Sequence, residues 1–193
     1  MEFKIENTAV YGLDKSMIAS GNPLRVQMED NSNAATVKDM ERSIKLGSSG
    51  VGEGHDQFLT GIIVQFNIYA PLAMWKELQR YHFLDFVSSQ STMHKLMSFD
   101  IKEQCVSDTD PRIVGIVSDL IQQYNAAEIK DKSLWRRIVM SIPSGFVLGA
   151  TMTTNYRQLK TIYLQRKNHK LKEWEEFRQW CEELPYFKEL CLK

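Results

Sequence analysis

The sequence predicts a single domain of mixed helix and strand, of the α/β or α+β class, over residues 1–193. The first observation is composition, since 193 residues that are 43% hydrophobic and 25% charged can build one sizeable core. The second is a segment of alternating residues that predicts a buried strand. The third is a set of later segments with apolar residues at helical spacing, and no internal repeat or linker divides the chain.

The first part of the chain predicts one short strand and one short helix. Residues 3–11 favour a strand, and the Gly-Asn-Pro sequence at 21–23 predicts a turn that ends regular structure. Residues 36–46 predict a short polar helix. It lies within a polar stretch, residues 29–54, whose last part, residues 47–54, is a glycine- and serine-rich loop by composition.

The clearest strand covers residues 58–70. Apolar residues from Ile62 to Ala70 occupy every second position, which is the pattern of a sheet with one face in the core. Pro71 ends this strand and is well placed as the first residue of a helix, where its missing N–H costs nothing. Residues 72–80 are good helix formers, so the sequence predicts a strand that runs directly into a helix.

Four further helices are predicted in the second half. The longest, residues 111–124, begins at Pro111 and is expected to be central. Pro143 ends the second helix, residues 132–140, and Pro185 ends the fourth, residues 171–184. Thr154 or Asn155 is available as the N-cap of the third. Residues 145–154 fit either an extended or a helical segment. The four helices cover residues 111–124, 132–140, 155–166 and 171–184.

Charge and cysteine content exclude several classes of protein. The 24 basic and 24 acidic residues cancel, so no overall field attracts a nucleic-acid polymer or an anionic membrane. Cys105, Cys181 and Cys191 lack CxxC or CxxH spacing, which excludes a disulfide framework and a zinc knuckle and fits a reducing compartment. No apolar run approaches the roughly 20 residues of a membrane span, and the start lacks the apolar stretch of a signal peptide. We therefore expect a cytoplasmic protein without a metal site.

Four common motifs are missing from the chain. The sequence contains no G-x-G-x-x-G after a strand, no G-x-x-x-x-G-K-[ST], no H-E-x-x-H and no G-x-S-x-G. Dinucleotide-binding, P-loop, zinc-protease and serine-hydrolase functions therefore lose their main support.

Two candidate site clusters lie on either side of the clearest strand. His55 precedes the strand, at the kind of junction from which catalytic side chains project, although a lone histidine is more often structural. Arg80-Tyr81-His82 follows the next helix and brings together a guanidinium, a phenol and an imidazole, which are donors suited to phosphate or carboxylate. The alternative is that Arg80 and His82 only complement the negative end of the helix dipole.

A third cluster begins at Asn155-x-Arg157 and ends at Arg166. Asn155 and Arg166 lie about three helical turns apart on one face, with Leu159 and Ile162 between them. Such a face can hold a flat ring between anion-binding ends. The alternative is an N-cap asparagine followed by two solvated arginines.

The run of hydroxyls and one amide at residues 88–92 is a fourth candidate. It follows a short segment, residues 83–87, that has an extended pattern, and it could hydrogen-bond a phosphate or a base edge. A capped helix start leading into Met93, Leu96 and Met97 fits the same residues equally well.

These clusters occur in the order and spacing of one known family. In chain order they are His55, a strand that ends in Ala70-Pro71, Arg80 at the end of a helix, a serine-containing run, Asn155, Arg157 and Arg166. The pattern resembles that of the flavin-dependent thymidylate synthases over most of residues 55–180. Residues 172–176 are similar to the C-terminal helix of that family.

The resemblance implies a homotetramer with a twisted sheet packed by helices and with sites formed between subunits. In that family FAD carries hydride from NADPH, methylenetetrahydrofolate supplies the methylene group, and dUMP is methylated to dTMP. The lack of a catalytic cysteine fits, because in this family the flavin is thought to activate the base.

The resemblance also implies roles for individual residues. His55 and Arg80 would be catalytic, and Arg166 would bind the pyrimidine nucleotide across the interface. Further nucleotide contacts would come from Ser88, Gln90 and Ser91. The residues that would contact or orient the flavin are His55, Arg80, Tyr81, His82, Asn155 and Arg157.

This sequence departs from the family at the signature itself. Arg80-Tyr81-His82 stands where the family has Arg-His-Arg, and one permanent charge is lost. The family's Glu-x-Ser-x-Arg run falls on residues 88–92, which carry no charge, and Glu77 stands where the family has glutamine. Neutral hydroxyls should hold a phosphate more weakly than arginines, because each charge-assisted hydrogen bond is worth roughly 1.5 to 3 kcal/mol.

Two hypotheses for function follow from these matches to the family pattern and departures from it. The first is a diverged flavoenzyme that transfers a one-carbon unit to a pyrimidine nucleotide such as dUMP, and a changed pyrimidine substrate is a variant of it. The second is a nucleotide-binding or regulatory protein that keeps the fold but has lost flavin chemistry. His55, Asn155, Arg157 and Arg166 favour the first, whereas the altered signature favours the second.

Overall fold

A computed structural model of the chain describes residues 1–28, 32–50 and 52–193. Glu29, Asp30 and Asn31 of the predicted polar stretch, and Val51 of the predicted glycine-rich loop, lie outside the described residues. The strands are β1 (Lys4–Tyr11), β2 (Ile63–Pro71), β3 (Asp85–Ser89) and β4 (Val147–Asn155). The helices of the described part are α1 (Leu13–Ala19), α2 (Val37–Gly47), α3 (Leu72–Leu78), α4 (Thr92–Lys95), α5 (Ile101–Gln104), α6 (Pro111–Ala126), α7 (Lys132–Met140), α8 (Tyr156–Gln165), α9 (Glu173–Glu183) and α10 (Phe187–Cys191).

The four strands form one sheet of order β1-β2-β4-β3, which is antiparallel in a mixed helix and sheet fold. The predicted fold class is therefore confirmed. The strand predicted at the start of the chain is also present, and so is the direct passage from β2 into α3.

Most predicted helices are present because their ends carry local capping groups. Thr36 and Asp39 form a capping box at the start of α2. The carboxylate of Asp110 accepts from the backbone of α6, whose first residue is Pro111, as predicted. Asn155, one of the two predicted N-caps, accepts the backbone N–H of Gln158 at 2.9 Å.

Two boundary predictions are wrong, and the structure decides one segment that the sequence left open. The first part of the strand predicted at 58–70 is a 3-10 helix over Gln57–Gly61. Leu59 and Ile62 are both fully buried there, and their spacing of three suits the 3-10 repeat. Pro71 is the last residue of β2 and the N-cap of α3, where its extended ψ keeps it outside the helix. The open segment 145–154 contains β4.

Two compact units, each assembled from separate segments, make up the fold. One consists of Met1–Lys4, Asn67–Arg80 and Phe86–Thr151, and the other consists of Ile5–Phe66, Tyr81–Asp85 and Met152–Lys193. We refer to them as the first unit and the second unit. Among the described residues, no helix has both the length and the apolar character needed to cross a bilayer.

Each unit has its own core. In the first unit, the apolar faces of α5, α6 and α7 pack around Phe146, which is fully buried. In the second unit, aromatic rings from α8, α9 and α10 stack edge to face, with the Trp174 and Phe177 centroids 5.5 Å apart and those of Tyr156 and Phe187 5.3 Å apart. The second core therefore surrounds α8, which carries the predicted Asn155 and Arg157 at its start.

We expect stability to fall in acid because of Asp39. Hydrogen bonds from Thr36 and Arg42 to the Asp39 carboxylate lower its pKa from 3.8 to about 2. A lowered pKa in the folded state stabilises the fold above the unfolded pKa, and this contribution disappears as pH falls from about 4 to 2. Its size is on the order of 2 kcal/mol. Denaturation of Asp39→Asn at pH 6 and pH 2 should show a smaller pH difference than wild type, and an identical difference would contradict the assignment.

Candidate functional site

The guanidinium of Arg166 is held by two aromatic side chains of the second unit. Arg166 follows α8 directly, and its Nε donates to the Tyr81 hydroxyl at 2.7 Å. Its central carbon lies 4.4 Å from the centre of a Trp174 ring, which is fully buried on α9. A planar guanidinium stacked on an aromatic face is oriented before any ligand arrives. Arg166 itself is only half-buried, so this arrangement presents a fixed cation at the surface.

A buried carboxylate links the other predicted arginine to a buried lysine. Asp56 accepts from Arg157 Nε at 3.0 Å and from Lys160 Nζ at 3.1 Å. The side chains of Asp56 and Lys160 are 3% and 4% exposed, whereas that of Arg157 is 35% exposed. One negative charge is therefore shared by two positive charges, and the outer cation faces solvent.

Lys160 also ties this cluster to the end of α2. Its Nζ donates to the carbonyl oxygens of Gly47 and Ser49, both at 2.8 Å. Carbonyls at a helix C-terminus have no partner within the helix, so a lysine there both satisfies them and complements the dipole. Asp56 and Lys160 were not among the predicted site residues. The available signals were the position of Asp56 beside His55 and the i,i+3 spacing of Arg157 and Lys160 on α8.

A cavity of about 500 Å³ lies beside this cluster in the second unit. Arg157 and Asn155 both line it, as does Gln57, whose Oε1 accepts from the Arg157 guanidinium at 2.8 Å. The Asn155 side chain caps α8, as in the alternative interpretation of that residue. The remaining lining residues are Asp56, Thr60, Phe83, Gln158 and Thr161.

The apolar residues between Asn155 and Arg166 are not available to a ligand. Leu159 and Ile162 are fully buried in the core of the second unit. The expectation that this helix face holds a flat ring is therefore wrong, because the apolar stripe is what packs α8 into the core.

His55 lines a different cavity of the second unit, of about 650 Å³, together with Lys45, Leu46 and Phe58. His55 and His82 are both exposed. Arg80 is exposed and is the last residue of its segment in the first unit, whereas Tyr81 and His82 belong to the second. Of the predicted flavin contacts, the structure thus brings Asn155 and Arg157 to one cavity, and Gln57 lines both this cavity and that of His55.

Comparisons with known proteins give a result only at the level of structure. No protein-family model matches the chain, and no curated protein matches its sequence. A crystal structure of flavin-dependent thymidylate synthase from Helicobacter pylori, complexed with FAD and dUMP, aligns over 100% of both chains at a TM-score of 0.73 and 18% identity. A second structure of that bacterium's enzyme with FAD and dUMP covers 100% of this chain and 98% of its own, at 0.71 and 17%.

The chain has the fold of a flavin-dependent thymidylate synthase. The family resemblance inferred from sequence is therefore confirmed as a resemblance of fold. A UMP/dUMP methylase from Streptomyces cacaoi, bound with 5-bromo-dUMP, shares this fold at a TM-score of 0.66 and 12% identity, over 94% of this chain and 88% of that one.

Within this thymidylate synthase fold, the run at residues 88–92 divides into two parts. Ser88 and Gln90 line a cavity of the first unit of about 210 Å³. Ser91 does not line it. Its Oγ accepts the backbone N–H of His94 at 3.3 Å and caps α4, which is the alternative that the sequence left open.

The three cysteines of this thymidylate synthase fold are buried, and burial raises the pKa of each thiol. A thiol that stays protonated near neutral pH is a poor nucleophile. None of the three thiols is therefore suited to act as a nucleophile near neutral pH.

Proposed function

We propose that this chain is a diverged member of the flavin-dependent thymidylate synthases that transfers a one-carbon unit to a pyrimidine nucleotide such as dUMP. FAD, when bound, would supply the redox chemistry, with NADPH and methylenetetrahydrofolate as co-substrates. The fold supports this proposal over the full length of the chain, and the Helicobacter pylori enzyme of that fold carries FAD and dUMP. The observation that carries it is the oriented guanidinium of Arg166, stacked on Trp174 and bonded to Tyr81.

Arg157 and its surroundings fit a flavin in charge and in size. The cavity of about 500 Å³ lies within the range of roughly 300 to 1,000 Å³ typical of ligand sites. Arg157 would hold an electron-rich edge of the ring, and the Asp56 carboxylate would keep the guanidinium at the cavity wall. Asn155 and Gln158 would add polar contacts, with His55, Arg80 and His82 completing the set.

Arg166 would bind the nucleotide phosphate, from a neighbouring copy of the chain. The Tyr81 hydroxyl accepts from Arg166 and would position that guanidinium, and the flavin contact that the resemblance implies for Tyr81 stays a prediction. Ser88 and Gln90 would contact the nucleotide through their cavity. Sites shared between copies require association, and we propose a homotetramer, whose mass light scattering measures directly.

We predict that Arg166→Ala weakens dUMP binding by roughly 1.5 to 3 kcal/mol, because it removes the charge-assisted hydrogen bonds to phosphate. Calorimetric titration of dUMP measures the loss. Arg178→Ala is the matched control, since its guanidinium also stacks on an aromatic ring, that of Tyr163, at 4.3 Å. Both variants should lose about 1 kcal/mol of stability, but only Arg166→Ala should lose affinity. Equal affinities for dUMP in the two variants would remove Arg166 from the site.

We predict that His82→Arg tightens FAD binding about tenfold, because arginine restores a permanent charge and a five-donor fork at the altered signature. Flavin fluorescence quenching measures the affinity. His94→Arg adds the same charge at another exposed histidine and should leave FAD affinity unchanged. An equal gain in both variants would indicate a general charge effect.

A second candidate function is supported by the uncharged run at residues 88–92. It is a nucleotide-binding or regulatory protein that keeps the fold without flavin. Flavin absorbance of the purified protein distinguishes the two. Failure of wild type to bind FAD even near millimolar concentration, while dUMP still binds, would favour this second function over the enzyme.

A further inference from the structure

The segment between α8 and α9 carries a concentration of positive charge. Residues 166–172, which we call the basic loop, contain Arg166, Lys167, Lys170 and Lys172 and no acidic residue. The chain as a whole has 24 basic and 24 acidic residues, so this excess is local. It gives the loop a positive field although the chain is neutral overall, and such a field attracts anions.

The basic loop is closed and internally hydrogen-bonded. The stacking of Arg166 on Trp174, at 4.4 Å, brings the two ends of this segment together. Inside the loop, the His169 N–H donates to the Arg166 carbonyl at 3.3 Å, and the Leu171 N–H donates to His169 Nδ1 at 3.1 Å. Asn168 has a φ of 59°, a left-handed conformation that asparagine adopts more readily than most residues. The lysines are therefore attached to one tight turn.

Lys167 and Lys170 are exposed cations without partners in the described part of the chain. Neither ammonium group makes a hydrogen bond or an ion pair there. Other exposed lysines do, since Lys188 pairs with Glu182 at 3.3 Å and Lys130 donates to three carbonyl oxygens at the end of α6. Because like charges in one turn repel each other, a ligand with several negative charges would stabilise the basic loop.

A chain of phosphoryl groups matches these cations in number and in type. A phosphate monoester carries about 1.5 to 2 negative charges near pH 7, and each further phosphoryl group adds negative charge. The planar fork of Arg166 suits one phosphoryl group, whereas a lysine on its flexible stem binds a further one as a point charge. A nucleic-acid polymer would instead need contacts along an extended surface, and the charge excess here is confined to one loop.

We propose that the basic loop binds the outer phosphoryl groups of a nucleoside diphosphate or triphosphate through Lys167 and Lys170. Arg166 holds the phosphoryl group next to the sugar. The inference rests on the nucleotide function proposed above and names its substrate class, because it predicts a ligand with a longer phosphate chain than that of dUMP. Since both lysines are exposed, added salt should weaken their contribution to binding.

The test compares nucleotides that differ only in the length of the phosphate chain. Calorimetry at one fixed ionic strength, with EDTA to remove divalent cations, measures the dissociation constants of dUMP, dUDP and dUTP. We expect wild type to bind dUTP at least about tenfold more tightly than dUMP, because two further cations contact the longer chain. In the double variant Lys167→Gln with Lys170→Gln, this preference for dUTP should fall by about tenfold.

Two further double variants keep the test decisive. Lys15→Gln with Lys38→Gln removes the same charge from exposed positions of α1 and α2, and it should keep the wild-type preference. Lys167→Glu with Lys170→Glu reverses the charge of the turn, so it should bind dUMP more tightly than dUTP. Thermal melting establishes that each variant is folded.

The outcomes separate this inference from the proposed function. Equal affinities of wild type for dUMP and dUTP, or a preference that Lys167→Gln with Lys170→Gln leaves unchanged, overturns the inference and leaves nucleotide binding in place. Binding of inorganic tripolyphosphate that is lost in the same variant but does not displace dUTP also overturns it, because the loop would then be a polyanion site separate from the nucleotide.

Two results bear on the proposed function itself. A preference for dUTP that depends on the two lysines, in a protein that binds no FAD, supports the inference and contradicts the flavoenzyme. Failure of wild type to bind any of the three nucleotides overturns both.

Discussion

Replacing Asp56 by asparagine should lower the free energy of unfolding by about 3 to 5 kcal/mol, because it leaves a buried lysine without its counter-charge. Asp56 and Lys160 are 3% and 4% exposed and lie 3.1 Å apart. The two carbonyl oxygens that Lys160 also contacts cannot neutralise its charge. Urea denaturation followed by circular dichroism measures the loss.

The control is the double variant Asp56→Asn with Lys160→Met, which removes both buried charges. Removing both charges of a buried ion pair is less costly than removing one, so the double variant should recover part of the loss, the remainder being the cost of the Gly47 and Ser49 carbonyls that lose their donor. A single Asp56→Asn variant that costs less than about 1 kcal/mol would show that solvent reaches Lys160 after all.

Gly47→Ala should destabilise the protein by about 3 kcal/mol, because the added methyl group overpacks the contact between α2 and α10. A Cβ on Gly47 would lie 2.0 Å from the carbonyl oxygen of Leu190 and 3.0 Å from its carbonyl carbon. Both of these are backbone atoms of α10, so a side chain cannot simply rotate away. The same denaturation experiment measures this effect.

Gly115→Ala is the matched control, since it adds the same methyl group inside α6, where a Cβ would meet nothing within 4 Å. It should stabilise the protein by about 0.5 to 1 kcal/mol, because glycine is a poor residue for a helix interior. Opposite signs for the two variants are the expected result. A loss at Gly115 or a gain at Gly47 would contradict the packing described for these helices.

The helices predicted most accurately from sequence are those whose ends carry their own signals. Asp110 with Pro111 and Asn155 with Gln158 are capping contacts within three residues, so the local sequence contains both partners. The α10 helix was missed because its five residues follow Pro185 too closely to show a period. Residues 58–61 were misassigned to the strand because the apolar residues there fit a buried 3-10 turn as well as the first part of a strand.

The sequence named several residues of the candidate site, but it did not predict which of their side chains are in contact. Arg157 and Arg166 were both named, and a helix was predicted over residues 171–184, which contain Trp174. What the pattern could not reveal is that Trp174 stacks on Arg166, or that the Tyr81 hydroxyl accepts from it across 85 residues of chain. Ser91 had two possible roles in the sequence, and only the start of α4 decided that it is a cap.

The sequence by itself determined the fold class, most helix boundaries and the family resemblance, because these depend on periodicity, on caps within a turn and on the order of motifs. The tertiary structure alone decided which charges meet. Asp56 reaches Lys160 over 104 positions, and Gln90 reaches Gly149 over 59. The energy of such contacts depends on burial and on the distance between atoms, and neither is encoded in the spacing of residues along the chain.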